Sequence, residues 1–138
     1  MGQLMDDIIS AAKNCTENCK DIFDYSVESL AAVDDLLNNV RNDMLDEDTL
    51  YNIITNVGSY VFETARRNYG GEHYWLLDEQ QPILVAGEPD FSVSIRAWQK
   101  VKGFLKNGAE DSLPFYVQGY KEHIEKGKVQ KGYKATII

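Results

Sequence analysis

The hydrophobic period of this chain changes twice along its length, and that change limits the fold more than any other feature. From Met5 to Ala65 the apolar residues recur at intervals of three and four, as one face of a helix requires. From His73 to Ile95 the apolar runs are short and separated by turn residues, and Phe91, Val93 and Ile95 alternate with Ser92 and Ser94. Helical spacing then returns with Trp98, Val101 and Leu105. Helices, then strands, then helices predict an α+β fold. The expected layout is an N-terminal helical layer, a small three-stranded antiparallel meander and C-terminal helices.

Residues 3–19 read as a first helix, with Met5, Ile8, Ile9, Ala12, Cys15 and Cys19 in one stripe. Cys15 and Cys19, the only cysteines, then share a face and pack as small hydrophobes. Ser26 is the expected N-cap of a second helix that runs to about Met44 on the seam Leu30, Val33, Leu37, Val40 and Met44. Asp46 should cap a third helix, which Gly70-Gly71 ends. Gly58 inside that helix costs about 1 kcal/mol relative to Ala, which a close helix crossing or the approach of another backbone would explain. His73–Leu77, Pro82–Ala86 and Phe91–Ile95 are the three strands. A helix that Asn107-Gly108 stops follows them. A last helix then carries Leu113, Tyr116, Val117, Tyr120 and Ile124, with Gly127 at its end. Residues 128–138 form either an edge strand or a free tail; their pattern leaves both open. The 138 residues read as a single domain, 1–138.

The net charge of −8 is unevenly spread. Residues 1–64 carry 13 acids and 3 bases, a net of −10, and residues 65–138 carry 9 acids and 11 bases, a net of +2. From Arg96 onward there are 9 bases and 4 acids, a net of +5. An acidic helical half can dock a basic partner. Overall acidity and the lack of a recognition motif argue against nucleic-acid binding. No apolar run approaches the roughly 20 residues that span a bilayer, and the first residues do not read as a signal peptide, so a cytoplasmic location without a membrane partner is expected.

No complete catalytic set is legible. Neither His73 nor His123 sits in a motif with a nucleophile and an orienting group. Gly70-Gly71 follows a helix and precedes a strand, the reverse of a phosphate-binding turn. Glu122 and Glu125 form only one i, i+3 acid pair, outside the acidic half, so no metal site and no cofactor are expected. Large aromatics such as Trp75, Trp98, Tyr60, Tyr74 and Tyr116 are expected to fill the core between sheet and helices.

Three segments carry a resemblance. They are Asp24-Tyr25-Ser26-Val27-Glu28-Ser29-Leu30 leading to Val33-Asp34, then Gly58-Ser59-Tyr60-Val61-Phe62-Glu63, then Lys106-Asn107-Gly108-Ala109-Glu110-Asp111-Ser112-Leu113. With Trp75 after the glycine pair, they resemble a family of small uncharacterised bacterial domains, over residues 22–120. The resemblance implies a bacterial, cytoplasmic α+β domain and no catalytic residue. It singles out Ser26, Ser29, Tyr60, Glu63, Trp75 and Asp111. Ser26 and Asp111 are explained as caps. Glu63 is not, because the C-terminal end of a helix disfavours a carboxylate; it pairs with Arg66 or Arg67, or it reaches into a pocket.

The leading expectation is a non-enzymatic protein-binding or regulatory module, with an immunity-like protein that neutralises a basic partner as its concrete form. Glu28, Asp34 and Asp35 are the candidate partner-binding residues. The alternative is a small-ligand binder or enzyme with a pocket between sheet and helices, walled by Glu63, Tyr60 and Trp75.

Overall fold

The computed structural model describes residues 2–17, 22–108 and 112–137. Cys19 and Asp111, which carry two of the expectations above, lie outside the described residues, as does the side chain of Cys15. The order of elements is α1 (Gly2–Thr16), α2 (Leu30–Val40), α3 (Glu47–Tyr69), β1 (Glu72–Leu76), β2 (Gln81–Ala86), β3 (Ser92–Ile95), α4 (Ala97–Asn107), α5 (Leu113–Val129) and β4 (Lys134–Ile137). The α+β class is as the periodicity predicts.

The sheet corrects the three-stranded expectation. It has four strands in the order β1-β2-β3-β4, and the last pair is parallel. The antiparallel meander is present as β1, β2 and β3. A parallel neighbour needs a long crossover, and α4 and α5 supply it before β4 pairs Val93 with Ala135 and Ile95 with Ile137. Residues 134–137 are thus the edge strand that the sequence left open. Tyr116 locks this corner, because its hydroxyl accepts from Arg96 N at 2.6 Å and donates to Ile137 O at 3.2 Å.

α3 organises the helical layer. Asp46 caps it as predicted, its Oδ1 accepting from Thr49 N at 2.7 Å, and Gly70 ends it at φ 85°. A one-sided apolar face was expected, yet all nine residues from Val57 to Ala65 are buried. The helix is enclosed by α1, α4, α5 and the sheet, with Phe62 edge-to-face on His73 of β1. Gly58 admits the α4 contact: a Cβ there would lie 2.5 Å from Trp98 Cδ1 and 3.0 Å from Trp98 Cα. The backbone approach inferred from that glycine is therefore real.

Three helix boundaries are corrected. α2 begins at Leu30 with Ser29 at its N-cap, and Ser26 instead closes the preceding turn by accepting from Ser29 N at 3.2 Å. α2 stops at Val40, and Met44 is fully exposed rather than part of the seam. The stop coincides with Arg41 turning its guanidinium onto the end of α4, where Nη2 donates to Lys106 O at 3.2 Å. α5 continues past Gly127 to Val129. Gly127 is needed there for packing, since a Cβ would meet Phe91 Cδ2 at 2.3 Å.

Candidate functional site

Glu63 sits in the enclosed stretch of α3, and its side chain is 0% exposed. A bare carboxylate there would be strongly disfavoured. Arg66 Nε and Nη2 donate to its two oxygens at 2.7 and 3.0 Å, and Arg67 Nε donates to Oε2 at 2.9 Å. Burial pushes the carboxyl toward protonation, but the hydrogen bonds and charges of Arg66 and Arg67 outweigh it and hold the group below its ordinary value. Positions i+3 and i+4 are the two that reach back over the same helix face, so Glu63-Thr64-Ala65-Arg66-Arg67 is sufficient to build the triad.

The triad continues into an aromatic stack. The Arg67 guanidinium lies 3.8 Å from the centre of the Tyr25 ring, and Tyr25 stacks on Tyr60 at 5.0 Å with 27° between planes. The Tyr60 hydroxyl accepts from Tyr25 N at 2.9 Å and shares a 2.6 Å hydrogen bond with Ser29 Oγ. Ser26 bonds to Asp24 through both its amide and its hydroxyl. Four residues picked out by the resemblance, Ser26, Ser29, Tyr60 and Glu63, thus belong to one connected network. It staples the segment before α2 to the middle of α3. Tyr25 occupies the left-handed region at φ 64° to make that turn, a cost that the stack and the Tyr60 bond offset. Sequence reasoning missed Tyr25 as the centre of this network. Its position between Asp24 and Ser26, both turn formers, was the available signal.

Trp75 is elsewhere. It lines a cleft of about 550 Å³ between α1, β1 and α4, with Trp98, Ser59 and Asp7 among its neighbours. The cleft is not lined by Glu63 or Tyr60, so the three candidate ligand-binding residues do not share a wall. A larger groove of about 990 Å³ runs between the first turns of α3, α4 and the β1–β2 turn. Tyr51, Trp98, Arg96, Lys102 and Lys106 line it, and Arg96 is paired with Glu79 at 3.0 Å. Glu63 is absent from this lining as well.

Of the candidate partner-binding residues, Glu28 and Asp35 are exposed. Asp34 is used internally. Its Oδ1 accepts from Leu113 N at 2.9 Å and its Oδ2 from Ser112 Oγ at 2.8 Å. Both bonds fall at the N-terminus of α5, so a carboxylate on α2 caps a helix 79 residues further on. The residue that follows the helix, Arg41, donates to Lys106 O at the end of α4. α2 therefore holds both sides of the α4–α5 connection.

The aromatics divide between core and surface. Tyr60 and Tyr116 are buried as expected, whereas Tyr74 and Trp75 are 39% and 41% exposed. His73 is buried, and neither ring nitrogen has a hydrogen-bond partner. Burial holds its imidazole well below the ordinary range, at about 4. Among the described residues no three His, Cys, Asp or Glu side chains converge as metal ligands would, and no helix is long and apolar enough to cross a membrane. Compared with family models, curated proteins and solved structures, the chain matches none of them. The fold and network define an α+β domain built around an enclosed central helix.

Proposed function

We propose that this domain is a non-enzymatic protein-binding module of the bacterial cytoplasm, immunity-like in type, that takes a basic partner on its acidic helical half. The observation that carries the reading is the state of Glu63. Among the described residues it is the one buried carboxylate, and both its oxygens are occupied by Arg66 and Arg67 within the same helix. A carboxylate so paired is held ionised, opens onto neither cleft, and is no candidate for proton transfer. Removing it from consideration weakens the pocket-enzyme reading and leaves the surface charge as the feature to explain.

That charge is available. Asp6, Glu28, Asp35, Asp43, Glu47 and Asp48 are all exposed. Met44, fully exposed, stands between Asp43 and Asp46 in the α2–α3 connection. An apolar tip ringed by acids suits a partner with a basic surface around a small hydrophobic pocket.

The test is capture from the native host at low salt with the whole domain as bait. A basic protein should be retained, released by raising salt, and lost with the double variant Glu28→Lys, Asp35→Lys. Recovery of no protein, or retention indifferent to salt and to charge reversal, would sink the proposal.

A further inference from the structure

We infer that the cleft between α1 and the Trp75–Trp98 pair receives an arginine or lysine side chain from a basic protein segment, an inference that rests on the protein-binding reading and gives it an anchor point. The cleft has a volume of about 550 Å³, within the range of roughly 300–1,000 Å³ typical of specific sites. Its aromatic walls are two indoles whose planes meet at 80° with centroids 6.0 Å apart. Perpendicular rings form the corner of a cage, and tryptophan faces attract cations more strongly than other side chains do.

The cage is built in advance. Trp98 Nε1 donates to the hydroxyl of the buried Ser59 at 3.1 Å, which fixes the indole, and Gly58 leaves room for it against α3. Trp75 is held in β1 opposite Pro82. Across from the indoles α1 presents Leu4, Ile8 and Ala11, which suit the methylene stem of a long basic side chain.

The lining contains a single charged residue, and it is acidic. Asp7 accepts one bond, from Gln3 Nε2 at 2.8 Å. A carboxylate has about four acceptor positions, so capacity remains for a forked guanidinium. The neighbouring groove shares Trp98 but is lined by Arg96, Lys100, Lys102 and Lys106 against Glu47 and Glu79, a net of +2. It is the less favourable of the two for a cation. The −10 charge of the first 64 residues concentrates basic segments on the correct side.

Both tryptophans of the chain line this cleft, so intrinsic tryptophan emission reports on it; Trp98 also borders the neighbouring groove, and dependence of the signal on Asp7 separates the two. Oligo-arginine added to the intact domain at low salt should give a saturable change in emission. Asp7→Asn and Trp75→Leu, each shown folded by circular dichroism and urea titration, should weaken binding about tenfold. Glu125→Gln, on α5 and outside the cleft, should bind as the parent does. Equal binding by Asp7→Asn and the parent would overturn the assignment. So would tighter binding of oligo-glutamate, an absence of any emission change, or tetramethylammonium binding as tightly as oligo-arginine, which would make the ligand a small amine. The two readings fail separately. A basic partner captured from the host equally by the parent and Asp7→Asn overturns the cleft and keeps the module. Oligo-arginine binding that depends on Asp7, with no partner captured, supports the cleft and removes the module.

Discussion

His73 faces Phe62 across the sheet–helix interface with both nitrogens unpartnered, and Glu63 and Arg66 on α3 act on it with opposite sign. Burial, with the Arg66 charge acting in the same direction, outweighs Glu63 and lowers its pKa from 6.5 to about 4. Above pH 6.5 the imidazole is neutral folded and unfolded, and its full contribution to stability is present. Between 6.5 and 4 the unfolded chain takes up a proton that the folded chain refuses, so stability falls with pH. Below about 4 the loss is complete, on the order of 3 kcal/mol. Urea midpoints taken between about pH 7 and pH 4 should therefore decline, and His73→Leu should flatten that decline. An unchanged slope in the variant would show that the acid sensitivity resides elsewhere. The sequence offered little warning here. A histidine at a strand entrance looks the same whether solvated or buried, and the difference lies in Phe62, eleven residues earlier on α3. Glu63 was better signalled, because an acid late in an apolar helix stands out and its arginines lie at the two positions that can reach it.

At the scale of elements, periodicity located the five helices and the three strands of the meander, but it left β4 open and did not fix how the elements join. The α3 stripe Val57, Val61 and Ala65 was legible, yet Ser59 and Thr64 are buried too, because α1 and α4 cover the remaining faces. Each polar group there is satisfied locally, Ser59 by Trp98 and Thr64 by Tyr60 O, and no periodic pattern announces such pairings. Gly58 was the exception. A residue unfavourable in a helix implied a crossing, and Trp98 lies against it. The distant cap on α5 illustrates the opposite case. Asp34 looks like a solvated acid on the polar side of α2, and only the fold brings Leu113 N to its Oδ1. Asp34→Ala removes two hydrogen bonds and leaves the first amides of α5 uncapped, so the domain should lose about 1–2 kcal/mol. Asp34→Asn, which keeps an acceptor for Leu113 N, should lose less. Urea titration of both variants measures the difference, and equal stability of Asp34→Ala and the parent would show that the cap contributes nothing.

For the whole molecule, the parallel pair β3–β4 matters most, because it ties the last residues to a sheet whose other strands precede two helices. Its short run Lys134-Ala135-Thr136-Ile137 has weak alternation, and what makes it a strand is tertiary: Ser92 N donates to Tyr133 O at 2.9 Å and Gly132 N to Asp90 O at 2.7 Å before the ladder begins. Those bonds depend on α5 having returned the chain to β3, which no local pattern encodes. Two outcomes for a chain truncated after Gln130 separate an integral strand from an appended tail. If β4 is integral, truncation exposes the β3 edge with Val93 and Ile95, removes the Tyr116–Ile137 bond, and should cost at least about 2 kcal/mol. The urea midpoint should fall, and an uncovered apolar edge should make the truncated chain associate as its concentration rises. If β4 adds nothing, the midpoint and the sedimentation behaviour will match those of the full chain. The ladder registers Val93 with Ala135 and Ile95 with Ile137, which places β4 on a strand whose Val93 and Ile95 are fully buried, so the first outcome is expected.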